Sequence, residues 1–206
     1  MERDDRGYGA LDAMRRAIVG EADPFRSYRR HFLSSLPLRF LHFDFLGTDW
    51  FMVIRLFQPG DLPELRRITI EGFEGIAIDQ NVENQLGVLA GHDWKWRKAR
   101  HVDEDCETNP FGVFVAVEGD TILGYISTRI DREARKGRIP NLAVDAHQRG
   151  HGVGRALIEH AIDYLRAQGM AFVMIETMVN NPVGQHLYPS CGFVEAGRQI
   201  HYAMKL

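Results

Sequence analysis

Residues 142–157 read LAVDAHQRGHGVGRAL. A short apolar stretch of strand type runs into Gly150, Gly152 and Gly154, and a helical pattern begins at once. No other feature constrains the fold as much. A strand has to give way to a helix through a turn from which side chains have been removed at alternate positions. The first N–H groups of a helix have no partner within it, and the helix dipole makes that end positive. With glycines leaving those groups uncovered, the turn is a candidate cradle for a phosphate or pyrophosphate. The plainer alternative is a tight strand–helix connection.

The rest of the chain organises around this turn. VIRLF (53–57) alternates and reads as a strand, and Pro59-Gly60-Asp61 turns it into a helix running to about Glu71, with Asp61 as N-cap. A short helix is expected around 79–89, followed by a charged, Trp-containing stretch with no clear period. VFVAVE (113–118) and TILGYISTRI (121–130) form a hairpin across Gly119-Asp120. RIPNLAV (138–144) is a further strand. Val153, Leu157, Ala161, Tyr164 and Leu165 share one helical face over 153–168, which Gly169 stops. AFVMIETM (171–178) is a strand, PVGQHLY (182–188) a short helix, and GFVEAG and RQIHYAMKL a closing strand pair. The order is that of an α/β sheet of mixed direction.

The first fifty residues do not share this order. Residues 1–51 are read as an N-terminal extension, poorly structured or the product of a mis-assigned start at a chain that begins at Met52. Residues 52–206 are read as one α/β domain. A formal net charge of −3 speaks against a dedicated nucleic-acid binder. The apolar stretch at 32–47 is interrupted by Pro37, Arg39, His42 and Asp44, so it is no membrane span. Cys106 and Cys191 make neither a disulfide framework nor a metal cluster. With no signal peptide evident, a cytoplasmic protein with reduced thiols and no metal is expected.

Spacing separates the glycine turns that hold phosphate. A Walker A loop needs Lys-Ser/Thr after its last glycine, and here Arg155-Ala156 follows Gly154. A dinucleotide fingerprint starting at Gly152-x-Gly154 needs a third glycine where Leu157 stands. The pattern R/Q-x-x-G-x-G/A is met by Arg149-Gly150-His151-Gly152-Val153-Gly154. This resembles the acetyl-CoA signature of the GNAT superfamily of N-acetyltransferases. The likeness extends upstream to Leu142-Ala143-Val144-Asp145. Downstream it takes in Ile175-Glu176-Thr177, Asn180-Asn181, His186-Leu187-Tyr188 and Cys191-Gly192-Phe193. The twelve residues from Glu176 to Tyr188 are similar to the spacing in the subgroup that acetylates protein N-termini.

The resemblance implies a mixed, mostly antiparallel α/β sheet whose fourth and fifth strands splay apart, with the pantetheine arm of acetyl-CoA in the gap. It puts the backbone of Leu142, Ala143 and Val144 against that arm. It puts the backbone of Gly150, His151, Gly152, Val153, Gly154 and Arg155 around the pyrophosphate, with Arg149 adding charge and Asn181 contacting the arm. One N–H of the 142–144 strand polarises the thioester carbonyl. Tyr188 is implied as the acid for the leaving thiolate, or else as aromatic packing. Glu176 is implied as the general base, or else as a strand residue paired to an arginine. Glu71, Glu74, His147 and His186 remain alternative bases. A covalent route through Cys191 would need an activating partner, and direct transfer with both substrates bound is the reading preferred.

The implied substrate segment is about 60–110. Glu71, Glu74, Asp79 and Glu83 could draw in a cationic amine or form a solvated helix face. WKWRKAR (94–100) could stack on bases, but packing of Trp94 and Trp96 under the substrate loop is the preferred reading. The function expected is acetyl transfer from acetyl-CoA to a primary amine of a small molecule, a protein N-terminus or a lysine. The alternatives are a non-catalytic acyl-CoA-binding module and a transferase using another acyl-CoA. Homodimerisation, common among the proteins it resembles, would use the strands after Gly192. Pro189 is a departure that could end the last helix early and displace Tyr188.

Overall fold

The computed structural model describes residues 40–43 and 49–206. Most of the expected N-terminal extension, 1–51, lies outside the described residues. The chain divides into two units, Met1–Val53 and Ile54–Leu206. Within the first, β1 (Phe40–Phe43) pairs antiparallel with the start of β2 (Asp49–Leu56), Phe40 opposite Met52.

The second unit holds five helices: α1 (Leu62–Phe73), α2 (Ile78–Leu86), α3 (Trp94–Thr108), α4 (Val153–Ala167) and α5 (Pro182–Ser190). Its strands beyond β2 are β3 (Val113–Glu118), β4 (Thr121–Ser127), β5 (Arg129–Asp131), β6 (Lys136–Ile139), β7 (Leu142–Val144) and β8 (Phe172–Ile175). One sheet carries the order β2-β3-β4-β7 and a second the order β5-β6-β8. The β3–β4, β4–β7 and β5–β6 pairs are antiparallel, while β6–β8 is parallel. The mixed, mostly antiparallel α/β architecture expected from the sequence is present.

The core forms where sheet and helix patterns meet. Val113, Phe114, Val115 and Ala116 of β3 are buried on both faces, as a near-continuous apolar run predicts. The anticipated face of α4 is buried with Ile158 added, and Phe114 meets His160 and Tyr164 edge-on at 4.4 and 5.1 Å. Such aromatic pairs add roughly 0.5–1.5 kcal/mol to the area they bury. A Cβ at Gly137 would stand 2.8 Å from Leu165 Cδ1, so the glycine lets α4 lie directly on β6.

Five expectations need correction. The single strand read at 138–144 is two strands in different sheets, because Pro140 has no N–H to continue the ladder. TILGYISTRI likewise breaks at Thr128, between β4 and β5. The closing strand pair is absent: residues 193–206 form no strand, and Val194, Ile200, Tyr202, Met204 and Leu206 are exposed. The aperiodic stretch around 94–108 is a 15-residue helix, capped by Asp93 accepting from the Trp96 N–H at 2.8 Å. Its buried residues are Trp94, Lys98, Val102, Asp103, Asp105 and Cys106, and three charged residues among them hide the helical period. Trp94 packs inside as expected. Trp96 does not: it is exposed and stacks on His92 at 3.7 Å.

Candidate functional site

The peptide groups of β7 decide what its outer edge offers. Ser127 N–H donates to the Asn141 carbonyl and Asp145 N–H to the Leu123 carbonyl, both at 2.9 Å. With Tyr125 opposite Ala143, residues 141, 143 and 145 turn their peptide groups toward β4. Leu142 and Val144 turn theirs the other way. No described strand pairs with that edge, since β8 joins β6 instead. The sheet is therefore splayed between β7 and β8. Of the three residues expected to face the cofactor arm, Leu142 and Val144 turn their backbone groups to the open edge, while those of Ala143 are spent on β4.

Below the edge lies the glycine turn. Gly150 and Gly152 have φ of 84° and 82°, in the left-handed region that other residues adopt only at a cost. Gly152 is the N-cap of α4, and no side chain caps the helix. The first intrahelical bond runs from Ala156 N–H to the Gly152 carbonyl. The N–H groups of Val153, Gly154 and Arg155 precede it and carry the positive end of the helix dipole. Gly154 is small for a different reason: a Cβ there would sit 3.3 Å from Leu187 and 3.6 Å from Val144. It seats α5 and β7 against α4.

The charged residues of the turn have local partners. Arg155 donates to the Ser190 carbonyl and to Ser190 Oγ, each at 2.9 Å, fastening the end of α5 to the start of α4. Arg149 reaches back to the Val144 carbonyl with a long 3.4 Å bond. His151 is exposed within the turn.

Glu176 follows β8 directly, is half exposed and pairs with Arg138 at 2.5 Å. The arginine partner named as the alternative to a base role is thus present. Tyr188 lies near the end of α5, and burial pushes its phenol up to about 12, so it is a proton donor at neutral pH. Pro189 does not end α5 early; the helix continues through it to Ser190. Asn181 caps α5, accepting from Gly184 N–H and donating to Thr177 Oγ1 at 2.9 Å.

Of the carboxylates expected to face an acceptor, Glu71 is held by Arg67 at 2.6 Å, and Arg67 also pairs with Glu64 and Asp145. Arg67 holds the Asp145 carboxyl below the usual range. Glu74 is exposed at the end of α1. His147 and His186 are exposed. Asp79 and Glu83 face His101 and Arg97 of α3 at 3.9 and 3.1 Å, so neither is a solvated charge. Sequence reasoning missed Asn180, whose amide donates to the Gly75 carbonyl at 2.8 Å and ties the loop before α5 to the loop after α1. It also missed Lys98 of α3 and Asn141, which precedes β7, both buried. The Asn180-Asn181 doublet was a visible signal; the other two were masked by their polarity.

Residues 76–193, more than half of the chain, match the family model described as Acetyltransferase (GNAT) family. N-alpha-acetyltransferase 30 of Saccharomyces cerevisiae is 36% identical over 83 residues, covering 39% of this chain and 47% of that protein. The chain thus spans about half the length of that relative. The [ribosomal protein bS18]-alanine N-acetyltransferase of Escherichia coli strain K12 is 30% identical over 115 residues, 50% of this chain and 78% of that protein. Among solved structures, the NatC complex bound to Gag peptide and CoA contains a chain of like fold, with TM-score 0.56 and 21% identity. That likeness covers 74% of this chain and 91% of the other. No described helix is long and apolar enough to cross a membrane.

Proposed function

The chain belongs to the acetyltransferase (GNAT) family, and on that footing we propose that it moves an acetyl group from acetyl-CoA to a primary amine while both are bound. The reading rests on one observation: the outward peptide groups of Leu142 and Val144 form an edge with which no described strand pairs, and it leads to the start of α4, where the N-cap Gly152 supplies no side-chain cap. An extended amide-bearing arm fits the edge, and a pyrophosphate fits the N–H groups of Val153, Gly154 and Arg155.

The acceptor amine is mostly protonated at neutral pH and must lose a proton before its nitrogen can attack the thioester carbon. That first proton leaves to solvent; the neutral amine then attacks, and Glu176, held in place by Arg138, takes the second proton from the nitrogen as the C–N bond forms. As the C–N bond forms, negative charge grows on the carbonyl oxygen, and the Leu142 N–H donates to it. The C–S bond then breaks, and the sulfur takes a proton from Tyr188. Glu71 and Glu74 stand at the acceptor side as carboxylates for a cationic amine, Glu71 partly neutralised by Arg67. The amine belongs to a small molecule or to a protein N-terminus or lysine; the Glu176–Tyr188 spacing and the two N-terminal-type relatives favour the protein.

The working unit is a homodimer joined through the segment after Gly192. That segment alternates apolar residues at Ile200, Tyr202, Met204 and Leu206, all exposed, while β8 pairs on one side only and exposes Phe172 and Met174.

Calorimetric titration with acetyl-CoA, alongside Gly152→Trp, tests the reading. Binding by the parent and none by the variant supports it. A parent that binds without acceptor-dependent release of free thiol would be a binding module. A folded parent that binds neither acetyl-CoA nor a longer acyl-CoA would remove the proposal.

A further inference from the structure

A buried polar chain runs through the protein at the start of β7, and the reaction just described leaves it unused. Lys98 Nζ donates to Asn141 Oδ1 at 2.7 Å. Asn141 Nδ2 donates to Asp105 Oδ2 at 2.7 Å. Asp105 also accepts from Ser127 Oγ and, at 2.9 Å, from Arg129 Nε. The Asn141 N–H donates to Ser127 Oγ at 3.2 Å, and its carbonyl accepts from the Ser127 N–H. Every polar group of Asn141 is therefore held. Lys98, Asp105, Ser127 and Asn141 are 6%, 1%, 0% and 2% exposed.

Burying an ammonium and a carboxylate costs free energy that an apolar core of the same shape would avoid. Stability alone does not account for the cluster. Its position does. The Asn141 carbonyl and the Leu142 N–H belong to one peptide unit, and that unit is planar and trans. Fixing the carbonyl toward β4 aims the Leu142 N–H the opposite way, out of the open edge. Pro140, on the other side of Asn141, has no N–H to help hold the strand here, so the side chain of Asn141 adds its constraint to the two bonds its backbone makes with Ser127.

We propose that Asn141, clamped between Lys98 and Asp105, is a positioning residue that sets the direction of the Leu142 N–H toward the acyl carbonyl. This rests on the acyl site proposed above. It assigns Lys98 no proton transfer. Lys98 reaches the reaction only through Asn141, and its other close neighbour is the Phe73 ring at 3.7 Å.

The test needs no acceptor. Acetyl-CoA labelled with ¹³C at the carbonyl is bound to the parent, to Asn141→Ala and to Lys98→Met, and the thioester C=O stretch is read by infrared difference spectroscopy. The parent is expected to shift the stretch to lower frequency than in water. Asn141→Ala should return it more than halfway to the value in water, while its Kd, set by the intact glycine turn, stays within about threefold of the parent, less than the tenfold of 1.4 kcal/mol. Lys98→Met should return it partway, and because it removes a buried charge it serves if Asn141→Ala does not fold. An unchanged stretch in a folded Asn141→Ala, or in Lys98→Met where that variant alone folds, overturns the positioning role and leaves the acyl site standing. Failure of the parent to bind overturns both.

Discussion

Gly152→Ala separates a phosphate cradle from a tight turn, provided backbone strain is accounted for. Gly152 sits at φ 82°, and Gly169, at the far end of the same helix, sits at φ 80°. Alanine in this region costs roughly 1–2 kcal/mol. Gly169 is a matched control, since a Cβ there would meet nothing within 4 Å. Both variants should lose similar stability, about 2–4 °C in Tm for each kcal/mol in a chain of this length. Their affinities should part. Any backbone shift that relieves the strain at Gly152 moves the N–H groups of the first turn of α4, where hydrogen bonds to charged groups are worth roughly 1.5–3 kcal/mol each. Losing one weakens acetyl-CoA binding on the order of 10- to 100-fold. Calorimetry with acetyl-CoA and with acetyl-pantetheine, which lacks the pyrophosphate, reads the two contributions separately. Gly169→Ala should bind both like the parent. Gly152→Ala should bind acetyl-CoA poorly and acetyl-pantetheine like the parent. Equal acetyl-CoA affinity in the two variants would refute the cradle, and equal losses for the two ligands would place the damage in β7 instead.

Tyr188→Phe should lower kcat on the order of 10²-fold with acetyl-CoA affinity unchanged; a KM effect without a kcat effect would make Tyr188 a packing residue. Burial of Lys98 lowers its pKa from 10.5 to about 8, against the opposing pull of Asp79 and Asp105. Between those values the unfolded chain binds more protons, so stability should rise with pH across that window and level off below it. Denaturant titrations of Lys98→Met should lack that rise; a parallel curve would show that the ammonium is not desolvated. Asn180→Ala frees the Gly75 carbonyl and should raise the acceptor KM while leaving acetyl-CoA affinity unchanged, as steady-state kinetics will show. Truncation after Phe193 should leave a monomer by light scattering, and a truncated chain with the same mass ratio as the parent would exclude the terminal segment from the interface.

The glycine turn and α4 were legible because each rests on local rules. A helix needs an apolar face at 3.6-residue spacing, and Val153, Leu157, Ala161, Tyr164 and Leu165 supply it. Gly150 and Gly152 then fall where the backbone turns left-handed. By contrast, α3 was illegible because Lys98 and Asp105 occupy buried positions that the pattern reserves for apolar residues, and only tertiary partners make those positions tolerable. The break at Pro140 could be seen in the sequence. That it sends β6 and β7 into different sheets could not, because strand partnership is a long-range property.

The positions that defeated the sequence reading are the ones that shape the edge of β7. A strand that ends a sheet usually invites pairing and has to be blunted or covered. Among the described residues no strand pairs with this edge. It is kept apart from β8 by what precedes it: Pro140 stops the ladder, and Asn141, locked between two buried charges, sets the direction in which the next residue presents its N–H. A hydrophobic residue at 141 would satisfy the core equally well but would leave that direction to the strand alone. The polar chain costs stability and hides α3 from sequence reasoning. Those two consequences have one cause, the need to hold an unpaired peptide group in a fixed orientation beside a gap.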